Sequence, residues 1–240
     1  MIFTFLRITS FFTSCNVMFP SGTPRQFKTY LCLILSLIIS MNLGIELNIS
    51  NYYEFIYYGV IETMTGLFLG YITTICFSAI KIAGSLIDTQ VGLSMSSMYD
   101  SVSGNQSTLI ENILYWVGIM IFLATNGHHV LINGLRHSFE IIPIGEMIIN
   151  NNIEYIISIF IKYFSLGFQI AVPVLLTMVM TELVMGLVSR SVPQFNVMII
   201  GMPIKMLVGL ILLITVLPSL GTEMSELFAN LASILSGTFK

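Results

Sequence analysis

The chain has 240 residues, of which 55% are hydrophobic and 9% are charged, and its mean hydropathy is +0.91. A composition this apolar predicts a membrane protein, because a water-soluble domain with so few charges would aggregate. The formal net charge is −3 and the nine basic residues are spread thinly, so we expect no basic patch and no binding to nucleic acid.

Apolar runs recur along the chain, and a bilayer core of about 30 Å requires about 20 such residues in a helix. The first two runs are short for full spans, and the fifth suits either one span with extra turns or two half-length helices hinged at Pro173. The sequence predicts a single all-α membrane domain over residues 1–240, with about six hydrophobic helical segments, some short or broken by proline. The candidates are Ile2–Phe19, Tyr30–Gly44, Gly59–Ile87, Leu109–Ile132, Ile153–Arg190 and Val197–Leu217, with a shorter apolar tail at Leu227–Leu235.

The polar gaps give a weak indication of orientation in the membrane. Arg7, Arg25 and Lys28 give the first gap a small positive bias, which predicts that this gap faces the cytoplasm. The N-terminal apolar run has no basic region ahead of it and no small-residue cleavage pattern, so we expect no removable signal peptide.

Glu62 is an ionisable side chain early in the third apolar segment. Such a group at membrane depth costs about 2.5 to 3.5 kcal/mol on insertion scales and needs a partner. Two explanations for Glu62 at this position are equally good: a structural ion pair or helix cap, and a role in transport. Gly66 and Gly70 follow in a Gly-x-x-x-Gly arrangement, which favours close packing of another helix over a pore.

The longest stretch without an apolar run is Gly92–Thr108, whose many Ser, Gly and Asn residues predict a loop. Non-helical backbone at membrane depth is tolerated only where it is buried in protein or lines a watery cavity. Residues 92–108 could lie free or plug a passage, and if they lie inside an assembly we interpret them as a candidate channel plug. Its small and soft side chains are the candidate plug residues: Met95, Ser97, Met98, Asp100, Ser103 and Gly104.

The segment Glu182–Lys205 brings charges and helix breakers together in an apolar part of the chain. Pro193 predicts that the preceding helix ends near Ser191, and Asn196 is a candidate N-cap for the next helix. Pro203 lies about two turns into that helix, which predicts a kink with a buried cation two residues later. We expect this segment to form a helix, a turn and a broken helix that pack against a polar surface, with these residues as its buried charges and packing positions: Glu182, Gly186, Arg190, Pro193, Gln194, Asn196, Pro203 and Lys205.

The histidines and cysteines give no sign of a metal or cofactor site. His128 and His129 are adjacent, so on a helix they point about 100° apart, and His137 is more than two turns further on. We interpret the pair as polar helix-end residues beside a bend at Asn126 and Gly127. No nucleophile, zinc-protease, phosphate-loop or dinucleotide motif occurs, and we expect a protein without enzymatic activity. The cysteines have no metal-ligand spacing either: Cys15, Cys32 and Cys76.

Several short motifs, in this order and spacing, match one family of membrane proteins. Each motif alone is weak, but together they are specific over Phe3–Pro218. The chain resembles the FliR family of flagellar export-gate subunits and its injectisome counterparts in type III secretion. It departs from the family pattern at Ser101, where proline is usual, and at Ile61, where a base is common. The matching residues are Glu62 with 66–70, Ile82–Ser94, Asp100 with Ser103–Gln106, Phe122–His129 and Pro143–Gly145.

This resemblance implies an all-helical subunit that joins several copies each of FliP and FliQ in a closed helical assembly, within the flagellar basal body of the bacterial inner membrane. It also implies contacts with the export-gate proteins FlhA and FlhB. The buried charges and packing residues named above, including Glu62, Gly66 and Gly70, would then meet partner subunits. The loop at Gly92–Thr108 would project into the central channel and help to close it. The expected function is a structural and gating subunit of the flagellar type III export gate, which passes unfolded proteins across the inner membrane.

Three alternatives remain open at this point. An injectisome-type gate subunit would share these motifs, although the Asn-Gly-His-His and Gly-Met-Pro-Ile-Lys sequences favour the flagellar system. A small-solute secondary transporter also builds its site from broken helices near charges, as at Pro173 and Pro203. A membrane scaffold without a pore would tolerate deletion of the loop.

Overall fold

A computed structural model describes residues 1–15, 17, 19, 22–43, 51–94, 108–146, 153–191 and 197–237. The regular secondary structure of these ranges consists of α-helices, as the sequence predicted. Seven helices follow one another in the described residues: α1 (Ile2–Ser14), α2 (Arg25–Leu43), α3 (Tyr52–Val91), α4 (Leu109–Ala124), α5 (Gly127–Ile141), α6 (Ile153–Ser191) and α7 (Val197–Gly237).

Three helices are long and apolar enough to cross a membrane, namely α3, residues 157–191 of α6 and residues 200–235 of α7. The pair α4 and α5, separated by a short break, would together provide a fourth span. Within the described ranges, α1 is apolar but short and α2 is not a candidate span. This agrees with the prediction that the first two apolar segments do not make full spans.

The third helix is longer than the predicted segment Gly59–Ile87. It begins at Tyr52 and ends at Val91, so part of the predicted polar gap forms its first two turns. The prediction was wrong here because Tyr and Glu lower the average hydropathy without opposing helix formation. Glu54 in the first turn also interacts favourably with the helix dipole.

Two boundaries near the N-terminus were also predicted wrongly. The first helix ends at Ser14 rather than at Phe19. The second begins at Arg25 rather than at Tyr30. Arginine, glutamine and lysine occupy the first turn of α2, and these residues form helices well although they are polar. Hydropathy therefore located the apolar stretch and missed the helical turn that precedes it.

The predicted single segment Leu109–Ile132 is two helices. The break falls at Thr125 and Asn126, and Asn126 adopts the left-handed conformation, with φ 57° and ψ 29°. Asparagine tolerates this conformation better than most residues with a side chain. The bend predicted at Asn126 and Gly127 is confirmed, and the second helix continues nine residues past the predicted end, from position 132 to 141.

Both C-terminal helices run through their prolines. α6 is one helix of 39 residues that continues through Pro173 and ends at Ser191, so one span with extra turns is the correct alternative. At about 1.5 Å per residue it is about 58 Å long, well beyond the bilayer core. α7 has 41 residues, continues through Pro203 and Pro218, and includes the apolar tail that was predicted as a separate segment.

The chain divides into two compact units. Unit 1 comprises residues 1–76, 123–160 and 228–240, and unit 2 comprises residues 77–122 and 161–227. In unit 1, α1 runs parallel to the first half of α3. The rings of Phe3 and Phe55 lie 5.2 Å apart near the start of both helices, and the Thr74 hydroxyl donates to the carbonyl of Ser14 at 2.9 Å, where α1 ends.

The second half of α3 is the central helix of unit 2. One glycine on each neighbouring helix packs against it, and these are Gly118 of α4, Gly167 of α6 and Gly209 of α7. A Cβ atom built on any of them would lie 2.6 to 2.8 Å from an atom of α3, which is closer than real side chains approach. The three helices therefore reach α3 at positions where a side chain is missing.

Candidate functional site

The core of unit 1 contains an ion pair between Arg7 on α1 and Glu62 on α3. Arg7 Nε lies 2.5 Å from Glu62 Oε2, and Arg7 Nη2 lies 2.8 Å from Glu62 Oε1. Neither side chain has any exposed surface. Two parallel hydrogen bonds between a guanidinium and a carboxylate form the most specific ion-pair geometry in proteins. Of the two roles left open for Glu62, the geometry provides the structural ion pair.

The rest of the Arg7 guanidinium is enclosed by the end of α5. Its Nη1 donates to the Ser138 carbonyl at 3.0 Å and to the Ser138 hydroxyl at 3.4 Å, and its Nη2 donates to the Ile142 carbonyl at 3.2 Å. The Phe139 ring lies below it, with the ring centroid 4.1 Å from Cζ. Each of the three guanidinium nitrogens therefore has an acceptor, which is the condition for burying a charge without a large penalty.

A turn at residues 143–146 closes over the Glu62 carboxylate. The Gly145 N–H donates to Glu62 Oε1 at 3.1 Å, and the Glu146 N–H donates to the Pro143 carbonyl at 3.1 Å. Gly145 has φ +95°, and a Cβ there would lie 2.6 Å from the Tyr58 ring. Glycine alone satisfies both conditions, so the Pro-Ile-Gly motif holds the Glu62 side of the ion pair.

Gly66 and Gly70 lie one and two turns after Glu62 and face the backbone of α1. A Cβ at Gly66 would overlap the Arg7 carbonyl, and one at Gly70 would lie 2.5 Å from the Phe11 carbonyl. The structure thus places the Gly-x-x-x-Gly pair against a helix of the same chain. Their part in packing between subunits stays a prediction.

Asp88 is the corresponding fully buried acid of unit 2. Its Oδ2 accepts the backbone N–H groups of Ile110 at 2.8 Å and Glu111 at 3.1 Å. These are unpaired N–H groups in the first turn of α4, so the Asp88 side chain acts as the N-cap of a helix 22 residues further along the chain. Gly84, one turn earlier, permits this approach, because a Cβ there would lie 2.5 Å from the Glu111 Cα.

The same aspartate also closes the end of α3. Its backbone carbonyl accepts the N–H groups of Gly92 at 3.0 Å and Leu93 at 3.2 Å, and Gly92 has φ +89°, a conformation typical of the glycine after a helix. Asp88 therefore holds both ends of the candidate plug, since the segment between them begins at Gly92 and ends at Thr108. The side-chain oxygen Oδ1 is buried and has no hydrogen-bond partner among the described residues.

The predicted plug side chains lie outside the described residues. The structure places the two ends of the loop and leaves the interpretation of its middle as a prediction. The residues concerned are Met95, Ser97, Met98, Asp100, Ser103 and Gly104.

The predicted cluster around Glu182 forms one ion pair within unit 2. The Lys205 ammonium of α7 contacts Glu182 Oε1 of α6. The side chain of Glu182 is 46% exposed and that of Lys205 is 23% exposed, so within this chain the cation is half-buried and the carboxylate that pairs with it lies at the surface. Burial against a partner subunit stays a prediction.

The other described residues of this cluster lie at exposed positions of α6 and α7. Arg190 is exposed, and a Cβ at Gly186 would have no atom within 4 Å, so no helix of the described chain approaches there. Pro203 lies exposed within α7. Three of the predicted residues lie outside the described part of the chain: Pro193, Gln194 and Asn196.

The last third of α6 presents a continuous apolar surface. Between Val179 and Ser191 none of its residues is buried. In the most apolar window of the candidate spans, 22% of α6 and 17% of α7 are buried in the chain, compared with 56% of α3. An apolar surface of this extent is covered by lipid or by another protein. The exposed large apolar residues in this last third of α6 are Val179, Met180, Leu183, Val184, Leu187 and Val188.

Residues 1–231 match a protein family described as bacterial export proteins, family 1. The chain belongs to this family. The flagellar biosynthetic protein FliR of Bacillus subtilis (strain 168) is 30% identical to it over 245 residues, which cover the whole chain and 91% of that relative. FliR of Aquifex aeolicus (strain VF5) is 31% identical, over 96% of the chain and 90% of the relative. FliR of Escherichia coli (strain K12) is 24% identical, over 96% of the chain and 89% of the relative.

Two buried charges of this export-family chain were not identified from the sequence. Arg7 was assigned to the positive bias of the first polar gap, which is wrong, because it lies inside α1 and is fully buried. One indication was available in the sequence. Burying a charged side chain such as Arg7 or Glu62 in an apolar helix costs free energy unless it pairs with an opposite charge. Asp88 had a positional signal as well, since Gly84, Asp88 and Gly92 are spaced four residues apart and so share one face of a helix.

Proposed function

We propose that the chain is a structural and gating subunit of the flagellar type III export gate, which passes unfolded flagellar proteins across the bacterial inner membrane. The observation that carries this proposal is the match of residues 1–231 to the family of bacterial export proteins, together with relatives named flagellar biosynthetic protein FliR that align with nearly the whole chain. The chain is a multi-pass membrane protein, with three or four candidate spans in its described residues.

In this proposal the chain assembles with several copies of FliP and FliQ and contacts FlhA and FlhB. The support is the uncovered apolar surface of α6 and α7, which a partner helix would bury. Glu182 and Lys205 give that surface a polar pair, and the open space at Gly186 would let a helix of another subunit approach closely. Polar groups of this kind fix the register of a helical interface.

The gating part of the proposal concerns the segment 92–108. Asp88 binds the first turn of α4 with its side chain and the end of α3 with its carbonyl. A plug tied at both ends in this way can be displaced by a substrate and return, because its anchor points stay together. The proposal assigns no catalytic step to the chain, and the charges Arg7 and Glu62 act by holding α1 on α3.

The test is an export assay in a flagellated bacterium that encodes this chain. Deleting the gene should stop secretion of hook and filament proteins while their synthesis continues, and expression of the intact chain should restore secretion. If the deletion strain exports these proteins normally, the proposal is wrong. If it loses export of injectisome substrates instead, the chain serves that system.

A further inference from the structure

The N-terminal end of α4 has two different side chains that can cap it. Thr108 and Glu111 form the sequence pattern Thr-x-x-Glu, which is the signature of a capping box. In a complete capping box the threonine hydroxyl accepts the N–H of the third helical residue, and the glutamate accepts the N–H of the threonine. Asp88 is the second candidate, because its side chain reaches the same helical turn from α3.

Only the glutamate half of this capping box is formed. The Thr108 N–H donates to Glu111 Oε2 at 3.5 Å. The Asn112 N–H donates to the Thr108 carbonyl at 3.1 Å, so Thr108 occupies the N-cap position. A threonine hydroxyl at this position would accept the N–H of Ile110 or Glu111. Both N–H groups donate instead to Asp88 Oδ2, at 2.8 and 3.1 Å, so a side chain of α3 performs the role of the local threonine.

This arrangement leaves two buried oxygens without hydrogen bonds. The Thr108 hydroxyl is buried and has no hydrogen-bond partner among the described residues, and the same is true of Asp88 Oδ1. A buried polar atom without a partner costs free energy. If α4 moved away from α3, the hydroxyl would accept the Glu111 N–H and water would reach the carboxylate. The free energy recovered at these two oxygens therefore offsets part of the cost of breaking the contact with Asp88.

Close packing and charge favour the described state. The Asp88 carboxylate accepts two N–H groups at the start of a helix, where the helix dipole stabilises a negative charge. Gly84, one turn before Asp88, has no side chain, and a Cβ there would lie 2.5 Å from the Glu111 Cα. Asp88 therefore reaches α4 only while the two helices are in direct contact. Thr108 stays beside the first turn of α4 in either case, because it directly precedes that turn in the chain.

We infer that Thr108 is a reserve cap, which replaces Asp88 as the acceptor for the first-turn N–H groups when α4 separates from α3. The start of α4 then stays helical with the contact closed or open, so the contact opens and closes without unfolding this turn. A helix whose only cap lies on another helix would lose the partners of its first N–H groups on separation. The inference goes beyond the proposed function and does not rest on it, since it concerns contacts within unit 2.

The test measures amide exchange at Ile110 and Glu111 by NMR on the intact chain in detergent. Thr108→Val, which removes the hydroxyl, is made in the wild type and in two backgrounds that open the contact. Asp88→Ala removes the carboxylate, and Gly84→Ala keeps the carboxylate but forces the helices apart. In the wild type, Thr108→Val should leave exchange unchanged. In both opened backgrounds it should accelerate exchange about fivefold, which is the usual effect of losing an N-cap.

Thr215→Val is the matched control for removing a threonine hydroxyl. Thr215 is exposed on α7, and its hydroxyl donates to the Ile211 carbonyl of the same helix, so this change should not alter exchange at Glu111 in any background. The inference is overturned if Thr108→Val has the same effect in the wild type as in the opened backgrounds, because the hydroxyl would then already cap α4. It is overturned equally if Thr108→Val has no effect anywhere. If the Asp88→Ala chain does not fold, the Gly84→Ala background decides.

Discussion

The guanidinium of Arg7 and the carboxylate of Glu62 form a bidentate ion pair with no exposed surface, and this pair joins α1 to α3. The short first helix also buries the apolar side chains of Phe3, Ile8, Phe11 and Phe12. It is 13 residues long, and an isolated helix of about that length is only marginally stable in water. The ion pair, the glycine-lined contact with α3 and the buried apolar side chains therefore hold α1 in place together.

Glu62→Ala should destabilise the chain strongly, because it leaves the Arg7 charge buried without a partner. Removing one member of a buried ion pair costs about 3 to 5 kcal/mol. Thermal unfolding of the full chain in detergent measures the effect. Glu140→Gln is the control, because the Glu140 pairs lie at the surface, where such interactions contribute about 1 kcal/mol or less. The double variant Arg7→Met with Glu62→Leu should recover much of the loss. Equal unfolding temperatures for Glu62→Ala and the control would contradict the structural role.

Gly66→Leu should displace α1 from α3, because its side chain would occupy the space of the Arg7 carbonyl. Overpacking of this kind costs about 1 to 3 kcal/mol, or more where backbone must move. Crosslinking between cysteines introduced on α1 and α3 measures the displacement. Gly186→Leu is the matched control, because it adds the same side chain at a position where the space is open in this chain. If Gly66→Leu crosslinks as efficiently as the wild type, the close contact is not required.

Asp88→Ala should release the start of α4, because Oδ2 is the acceptor for two N–H groups of its first turn. Losing an N-cap costs about 0.5 to 2 kcal/mol, and amide exchange at Ile110 and Glu111 should become faster. Thr108→Ala is the control. Thr108 occupies the N-cap position in sequence, yet its buried hydroxyl has no hydrogen-bond partner among the described residues. Faster exchange in Thr108→Ala than in Asp88→Ala would assign the cap to the threonine.

Deleting Met95–Ser103 should raise the leakage of ions or small molecules through the assembled channel. The expected cause is the loss of the plug between the two ends that Asp88 holds together. Conductance of the reconstituted complex in planar bilayers measures it. Asp88→Ala in the same complex should give a smaller increase, since the plug is present but one anchor is lost. Unchanged conductance after the deletion would remove this segment from the gating role.

Glu182→Ala should reduce the yield of the assembled complex, because Lys205 would be buried at the subunit junction without its partner. The exchanged pair Glu182→Lys with Lys205→Glu should restore part of the yield, since it keeps the ion pair between α6 and α7. Glu226→Gln, at an exposed position of α7, serves as the control. Normal yield combined with lost export would point instead to a role of Glu182 in conduction.

Local patterns predicted the helical class and several single positions. The break at Asn126 and the end of α6 at Ser191 followed from residues that favour a turn or oppose a helix. The helix starts at Tyr52 and Arg25 did not follow, because their first turns are polar. Hydropathy measures how readily side chains transfer into lipid. A polar first turn can be helical outside the lipid, so a hydropathy scale does not detect it.

The partners of the buried charges could be identified only from the tertiary structure. The need of Glu62 for a partner was evident from the sequence, but Arg7 is 55 residues away from it, and spacing carries no information over that distance. Asp88 and the first turn of α4 are likewise joined only because Gly84 permits contact between the two helices. A charge in an apolar helix therefore predicts that a partner exists, and the tertiary structure identifies it.

The most direct test of the central claim is to purify the tagged chain in mild detergent, with FliP and FliQ co-expressed, and to determine the mass of the complex by native mass spectrometry. A subunit of the export gate should appear in one discrete hetero-oligomer that contains a single copy of this chain. A stable monomer or homodimer, unchanged by co-expression, would contradict the claim and favour a transporter that works alone.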